Sequence, residues 1–169
     1  MKRVLLVLPY AGFSGASIDQ AVKRAGKEKA TLTALYLLEG GAAASVFDKF
    51  SDIGFMGDRP AEDLSKIVMK ESRQRGYEAL GKAQIKAMEE GVDFEPLVEE
   101  EPTVEKVLSL IEKMDPSVVF VLKRKQRAFL KYFTRSLADE LSERASVEVA
   151  VIIEEGEQEE ENADAKNMD

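Results

Sequence analysis

The sequence contains no cysteine, no histidine and no tryptophan. The absence of cysteine excludes disulfide bonds and thiol catalysis. Without cysteine and histidine, the chain has no Cys/His zinc site, no haem bound through these residues and no Ser-His-Asp or Cys-His nucleophile. Any chemistry must therefore come from carboxylates, amines, hydroxyl groups and the backbone.

Long hydrophobic runs are also missing. The first apolar run, Val4–Leu8, has five residues and ends at Pro9, whereas the core of a secretory signal has roughly 7–15 residues. No segment approaches the roughly 20 apolar residues of a membrane span. We interpret Val4–Leu8 as a buried first strand, and we expect a cytoplasmic protein that does not contact a membrane.

The negative charge is concentrated near the C-terminal end. The net charge is −8 over 169 residues, and residues 154–169 carry −7 of it, from eight acidic residues and one basic residue. The rest of the chain is nearly neutral and long enough to bury a core without cross-links. We predict a folded domain over residues 1–153 and a disordered acidic tail over residues 154–169. The tail either improves solubility or screens a basic surface.

Short apolar runs alternate with segments of helical spacing throughout the predicted domain. The order βαβαβαβαβ predicts an α/β fold with a parallel sheet and right-handed crossovers. Most of the runs are almost continuously apolar, which is typical of strands covered on both faces by helices. The predicted strands are Val4–Leu8, Leu32–Leu38, Val92–Val98, Val118–Leu122 and Val147–Ile153, and the predicted helices are Ser17–Lys27, Ala61–Glu90, Val104–Met114 and Phe129–Arg144.

One connection is unusually long. The segment Gly40–Pro60 has 21 residues and no strand pattern, yet it contains six large apolar side chains. Most connections in α/β units are far shorter, and a solvated loop rarely holds so many apolar groups. We interpret residues 40–60 as an insert that packs on the domain, forms a lid or contacts another subunit.

The topology predicts where a ligand would bind. Open parallel sheets bind ligands beyond the carboxyl ends of their strands, where the winding reverses. If the first strand is central, this crevice lies between the loops Pro9–Gly15 and Lys123–Arg127. The chain has no Walker motif and no GxGxxG motif, so the Gly-x-x-Gly spacing of the first loop is only a weak indication of phosphate binding. The candidate residues in the two loops are Pro9, Tyr10, Gly12, Gly15, Lys123, Lys125 and Arg127.

A basic segment follows the fourth predicted strand. Residues 123–135 contain no acidic residue and six basic ones, namely Lys123, Arg124, Lys125, Arg127, Lys131 and Arg135. The segment is either a solvated helix face whose long side chains cover apolar surface or an anion site for phosphate, nucleotide or nucleic-acid backbone. The overall negative charge and the lack of a reading motif argue against a dedicated nucleic-acid-binding protein.

The chain resembles the universal stress protein family from Lys2 to about Ile153. The order and spacing of four segments carry this resemblance: KRVLLVLPYAGFSGASIDQAVKRA, ATLTALYLLE, EEGVDFEPLVEEEPTVEKVLSLIEKMDPSVVFVL and RSLADELSERASVEVAVII. The resemblance implies a Rossmann-like, five-stranded parallel sheet of order 3-2-1-4-5 with helices on both faces. It also implies dimerisation and a cytoplasmic role in the stress response.

The sequence departs from the ATP-binding members of this family. Those members have an aspartate at the end of the first strand, where this chain has Pro9-Tyr10. They also have the pattern G-x-x-G, nine residues, G-[S/T] after the fourth strand. Here Leu122, Lys125 and Arg135 stand at the three glycine positions, and only Ser136 matches. Long side chains should prevent the close backbone approach to phosphates that glycine allows.

We therefore expect a binding or regulatory protein that is not an enzyme, needs no cofactor and does not hold ATP in the family manner. One alternative is a nucleotide-binding or slowly hydrolysing member in which Lys123, Lys125 and Arg135 replace the glycine contacts. Another is a polyanion-contacting protein gated by the acidic tail.

The last predicted strand, Val147–Ile153, is a sheet edge. Its sequence VEVAVII is mostly apolar and has no proline, so it can act as a template for strand pairing. The resemblance implies antiparallel pairing of two such strands across a two-fold axis. We predict a homodimer formed through this strand. In the alternative, the tail covers the edge in a monomer.

Overall fold

The computed structural model describes residues 2–38, 58–125 and 136–154, and for residues 58–65 it describes the backbone alone. The described elements, in chain order, are β1 (Arg3–Leu8), a 3₁₀ helix (Gly15–Ile18), α1 (Asp19–Glu28), β2 (Thr31–Leu37), α2 (Asp58–Glu89), β3 (Phe94–Glu99), α3 (Val104–Met114), β4 (Val118–Arg124), α4 (Leu137–Arg144) and β5 (Glu148–Glu154).

The five strands form one parallel sheet of order β3-β2-β1-β4-β5. This confirms the predicted α/β fold and the strand order 3-2-1-4-5. β1 is central, and its five apolar residues, Val4–Leu8, are completely buried. They are buried because helices cover both faces of the sheet, which explains why the run is continuously apolar instead of alternating.

Alternation along the strands divides the core into two layers. Val4, Leu6 and Leu8 pack under α1 and α2, whereas Leu5 and Val7 pack under α3 and α4. In α1 the apolar residues recur at helical spacing, so a single face meets the sheet; its buried residues are Ala21, Val22 and Ala25. Because β2 and β3 lie on one side of β1 and β4 and β5 lie on the other, the winding reverses between β1 and β4. This point is at the centre of the carboxyl edge, as predicted from the topology.

α2 approaches the sheet closely at Gly76. A Cβ atom built on Gly76 would lie 2.7 Å from ring atoms Cδ1 and Cε1 of Tyr36. Tyr36 is only 2% exposed, so its ring has little room to move away. The glycine therefore lets the helix lie directly on the ring.

Capping side chains begin two of the helices. The Thr103 hydroxyl accepts a 3.1 Å hydrogen bond from the Lys106 N–H at the start of α3. The Ser136 hydroxyl accepts a 3.2 Å hydrogen bond from the Asp139 N–H at the start of α4. Both bonds satisfy amide groups that have no partner inside their helix.

Two predicted boundaries are wrong. We placed Glu154 in the acidic tail, but it is the last residue of β5, and its carbonyl accepts a 2.8 Å hydrogen bond from the Lys125 N–H. We ended the insert at Pro60, but α2 already begins at Asp58. The rest of the insert and of the tail, residues 40–57 and 155–169, lies outside the described residues. Among the described helices, none is long and hydrophobic enough to cross a membrane.

Candidate functional site

The loop between β1 and the 3₁₀ helix forms one wall of the crevice at the carboxyl edge. Gly12 has φ of 81°, a left-handed conformation that disfavours residues with a Cβ. Phe13, which follows it, is 1% exposed and fixes the middle of the loop in the core. Ser14, which has an extended backbone, then leads into the 3₁₀ helix, and its N–H donates to an acceptor outside the loop.

Arg124, the last residue of β4, closes the crevice from the other wall. The central carbon of its guanidinium lies 4.1 Å from the centroid of the Tyr10 ring, within the range of a cation–π interaction. Its Nη2 donates a 3.0 Å hydrogen bond to the Ala11 carbonyl. The same nitrogen would lie 3.5 Å from a Cβ on Gly12. Arg124 thus fills the space between the ends of β1 and β4.

Glu154 joins the far end of β5 to the same loop. Its Oε1 accepts a 2.6 Å hydrogen bond from the Tyr10 hydroxyl, and its Oε2 accepts a 3.0 Å bond from the Ser14 N–H. The Ser17 hydroxyl donates a second hydrogen bond to Oε2. Three donors thus surround one carboxylate, with the Arg124 guanidinium nearby. We call these residues the Glu154 cluster: Tyr10, Ser14, Ser17, Arg124 and Glu154.

The cluster favours the charged form of Glu154 and the neutral form of Tyr10. Partial burial alone would raise the pKa of Glu154. The hydrogen bonds from Ser17, Tyr10 and the Ser14 N–H, together with the charge of Arg124, outweigh this and lower it. Burial, followed by the hydrogen bond to Glu154 and its charge, raises the pKa of the Tyr10 hydroxyl despite the opposing effect of Arg124. At neutral pH a carboxylate therefore accepts from a phenol.

Two lysines of α2 contact the loop after β1 and the helices that follow it. Lys82 Nζ donates a 2.5 Å hydrogen bond to the Phe13 carbonyl and lies 5.2 Å from the centroid of the Phe13 ring. Lys86 Nζ lies 3.1 Å from Asp19 Oδ1, and a Cβ on Gly15 would lie only 2.9 Å from Lys86 Cε. The loop is thus fixed by α2, β4 and β5 as well as by its own core residue.

Lys123 points to the opposite face of the sheet from Arg124, since neighbouring strand residues alternate. Its Nζ lies 3.4 Å from Asp139 Oδ1 in α4. The hydrogen bond with Ser136 lowers the pKa of Asp139 most. Desolvation opposes it, and the hydrogen bond and charge of Lys123 add to the lowering. Lys123 and Ser136 therefore belong to an ion-paired helix start and not to the Glu154 cluster. In the described ranges, no group of acidic side chains is arranged to hold a metal ion.

The model of the universal stress protein family matches residues 1–152. The chain belongs to the universal stress protein family. No curated protein is significantly similar to it in sequence.

Solved universal stress proteins share its fold at low sequence identity. The UspA protein from Lactobacillus plantarum is 14% identical with a TM-score of 0.60, and the match covers 89% of this chain and 97% of that one. A protein from Archaeoglobus fulgidus in complex with dAMP is 16% identical (TM-score 0.55, coverage 90% and 97%). An Arabidopsis thaliana family protein with AMP bound is 12% identical (TM-score 0.56, coverage 94% and 95%).

In this universal stress protein the structure brings only part of the predicted site together. Tyr10 contacts Arg124 and Glu154, and Gly12 lies beside Arg124. Pro9 lies in the same loop, and Gly15 begins the 3₁₀ helix that follows it. The Lys125 N–H pairs with β5, and Lys123 and Ser136 meet at α4. The predicted residues Arg127 and Arg135 lie outside the described residues.

Four members of the Glu154 cluster were not predicted as site residues. Ser14 appeared only as part of the loop Pro9–Gly15. Arg124 was counted only as one base of a run, although its even register with Leu122 and Phe120 marks the α1 face of β4. Glu154 was assigned to the tail because it begins the acidic run, yet it continues the alternation of β5 two residues after Ile152. Ser17 was read only as a helix start, and nothing local in the sequence indicated its acceptor.

Proposed function

We propose that this universal stress protein is a homodimeric binding or regulatory module of the stress response. In this proposal it is not an enzyme, it requires no cofactor, and its crevice does not take an adenine nucleotide in the manner of the ATP-binding members. The observation that carries the proposal is the position of Arg124, stacked on Tyr10 and bonded to the Ala11 carbonyl. These groups stand at the reversal of winding, where open α/β sheets bind ligands.

The charges around the crevice support the proposal. Arg124 has a ring, a carbonyl and the Glu154 carboxylate around it, and Lys123 is paired with Asp139. A phosphate would have to compete with these existing partners. The cations at the end of β4 that a nucleotide would need are thus already engaged.

The two edges of the sheet favour β5 as the dimer contact. On β5, Ile153 is 64% exposed and Val151 is 37% exposed, and the strand has no proline. The opposite edge, β3, contains Pro96, which lacks an N–H and cannot donate to an added strand. Pairing of two β5 strands would cover both exposed apolar side chains.

A second candidate function is nucleotide binding through basic side chains in place of the glycine loop. The dAMP and AMP complexes of the two structural neighbours favour it, although likeness at this identity establishes the fold alone. Lys123 would have to leave Asp139 to reach a phosphate. Lys125 and Arg135 would supply the other cations.

Isothermal titration calorimetry of the full chain with AMP and with Mg-ATP tests the first proposal. We expect no saturable heat at micromolar nucleotide. Saturable binding that is weakened by Lys123→Ala would favour the second candidate. Binding of single-stranded DNA or polyphosphate that falls steeply with salt would instead indicate the polyanion-contacting alternative.

A further inference from the structure

The Glu154 carboxylate lies two strands away from the loop it contacts. β4 separates β5 from β1, and Glu154 pairs with Arg124 in the register of the sheet. Its side chain nevertheless reaches Tyr10, Ser14 and Ser17 on the α1 face. The terminal residue of an edge strand therefore provides the acceptor for groups at the centre of the carboxyl edge.

The groups around this carboxylate form a donor set that would suit other oxyanions. It consists of one phenol, one backbone N–H, one aliphatic hydroxyl and the charge of one guanidinium, contributed by the first loop, the 3₁₀ helix and β4. Phosphate and carboxylate oxygens accept from the same groups. Glu154, a side chain of the protein itself, thus occupies a position that an external oxyanion could occupy.

We propose that Glu154 is an autoinhibitory latch. Its carboxylate fills the oxyanion position of the crevice and holds the Tyr10 ring beneath Arg124, and withdrawal of Glu154 opens that position to an external phosphate or carboxylate group. The proposal deepens the proposed function, because it rests on the closed crevice described there and names the residue that keeps it closed.

The location of Glu154 makes withdrawal possible without disruption of the core. Among the described strands, β5 has one neighbour in the sheet, and the bond from the Lys125 N–H to the Glu154 carbonyl lies at the end of the described part of their ladder. The side chain of the preceding residue, Ile153, is mostly exposed. Ends of edge strands open at low cost compared with global unfolding. Fraying of the C-terminal end of β5 away from β4 would therefore release the latch.

The test compares the full-length wild-type chain with Glu154→Ala and a matched control, Glu148→Ala. Glu148 is the first residue of the same strand and pairs with Arg24, 3.0 Å away, outside the cluster. Thermal unfolding is followed in sodium phosphate, in sodium acetate and in sodium chloride of the same ionic strength. We expect phosphate, at about ten times its dissociation constant, to raise the Tm of Glu154→Ala by about 3–6 °C. Wild type and Glu148→Ala should show no such rise.

The added variant Glu154→Ala/Ser17→Ala should lose most of the gain, because it removes a donor of the proposed position. Equal responses of Glu154→Ala and wild type to both anions would overturn the latch. If Glu154→Ala is unfolded in chloride, recovery of its far-UV circular dichroism in phosphate or acetate supports the proposal, and failure to recover in either anion contradicts it. Binding of AMP by the wild-type chain in calorimetry would instead refute the closed crevice itself, so the two failures are distinguishable.

Discussion

The hydroxyl of Tyr10 donates a 2.6 Å hydrogen bond to the carboxylate of Glu154, although the two residues lie 144 positions apart in the sequence. The bond joins the loop after β1 to the last residue of β5. The guanidinium group of Arg124 lies over the face of the Tyr10 ring. The crevice that the fold places between β1 and β4 is therefore closed by contacts among three distant parts of the chain.

The Glu154 cluster should make stability depend on pH in the acidic range. Because the folded pKa of Glu154 is lowered, its contribution is fully present above the unfolded value of about 4.3 and is lost as the pH falls through the folded value. Glu154→Gln should therefore be less stable than wild type at neutral pH, by about 1–2 kcal/mol for the lost charge-assisted bonds. Urea unfolding from neutral to acidic pH measures the difference, which should shrink below pH 4.3 or so. A difference that stays constant would contradict the prediction.

Gly76 and Gly81 provide a matched pair of substitutions within α2. Gly76→Ala should destabilise the domain by about 1–3 kcal/mol, because its Cβ would overlap the buried Tyr36 ring. Gly81→Ala should stabilise it by about 0.5–1 kcal/mol, because nothing lies within 4 Å of the added Cβ and alanine favours the helix. Denaturant midpoints of both variants test the prediction. Changes of the same sign would show that packing on Tyr36 does not limit α2.

The sequence was sufficient to predict the fold because its strongest signals report burial. The continuous apolar run of β1 indicates a strand covered on both faces, and the spacing of Ala21, Val22 and Ala25 indicates a helix with one buried face. The order of the strands came from resemblance to a known family and is confirmed. Local patterns carry such information because buried positions recur at a fixed spacing along each strand or helix.

The sequence was sufficient to predict where the site lies, but not which side chains contact one another there. Topology placed the loops after β1 and β4 side by side, which is correct for Tyr10 and the end of β4. The composition of the basic run could not tell which cations enter the crevice, since Lys123 and Arg124 point to opposite faces. The contact of Glu154 depends on its reach across β4, and no periodicity within β5 encodes that reach.

Arg124 and Lys123 should differ in their effect on stability although they are neighbours. Arg124→Ala should cost about 1–2 kcal/mol, because it removes the interaction with the Tyr10 ring and the bond to the Ala11 carbonyl. Lys123→Ala should cost less than about 1 kcal/mol, because its ion pair with Asp139 is partly exposed. Arg124→Lys should not restore the loss, since an ammonium group cannot stack on the ring and reach the carbonyl together. Chemical denaturation of the three variants measures these differences, and equal losses at both positions would show that the crevice contacts add little.

The exposed apolar residues at the two sheet edges allow the dimer contact to be located. Ile153→Lys should convert the predicted dimer to a monomer, because strand pairing along β5 would bring two lysines into the apolar contact. Val98→Lys provides the control: Val98 lies on the opposite edge strand, is 37% exposed and has Pro96 two residues before it. This variant should keep the mass of wild type. Sedimentation equilibrium over a range of protein concentrations measures the mass of each. A wild-type monomer would contradict the predicted dimer. Loss of the dimer in Val98→Lys but not in Ile153→Lys would show that β5 is not the contact, because a lysine disrupts only the strand that is buried in the dimer.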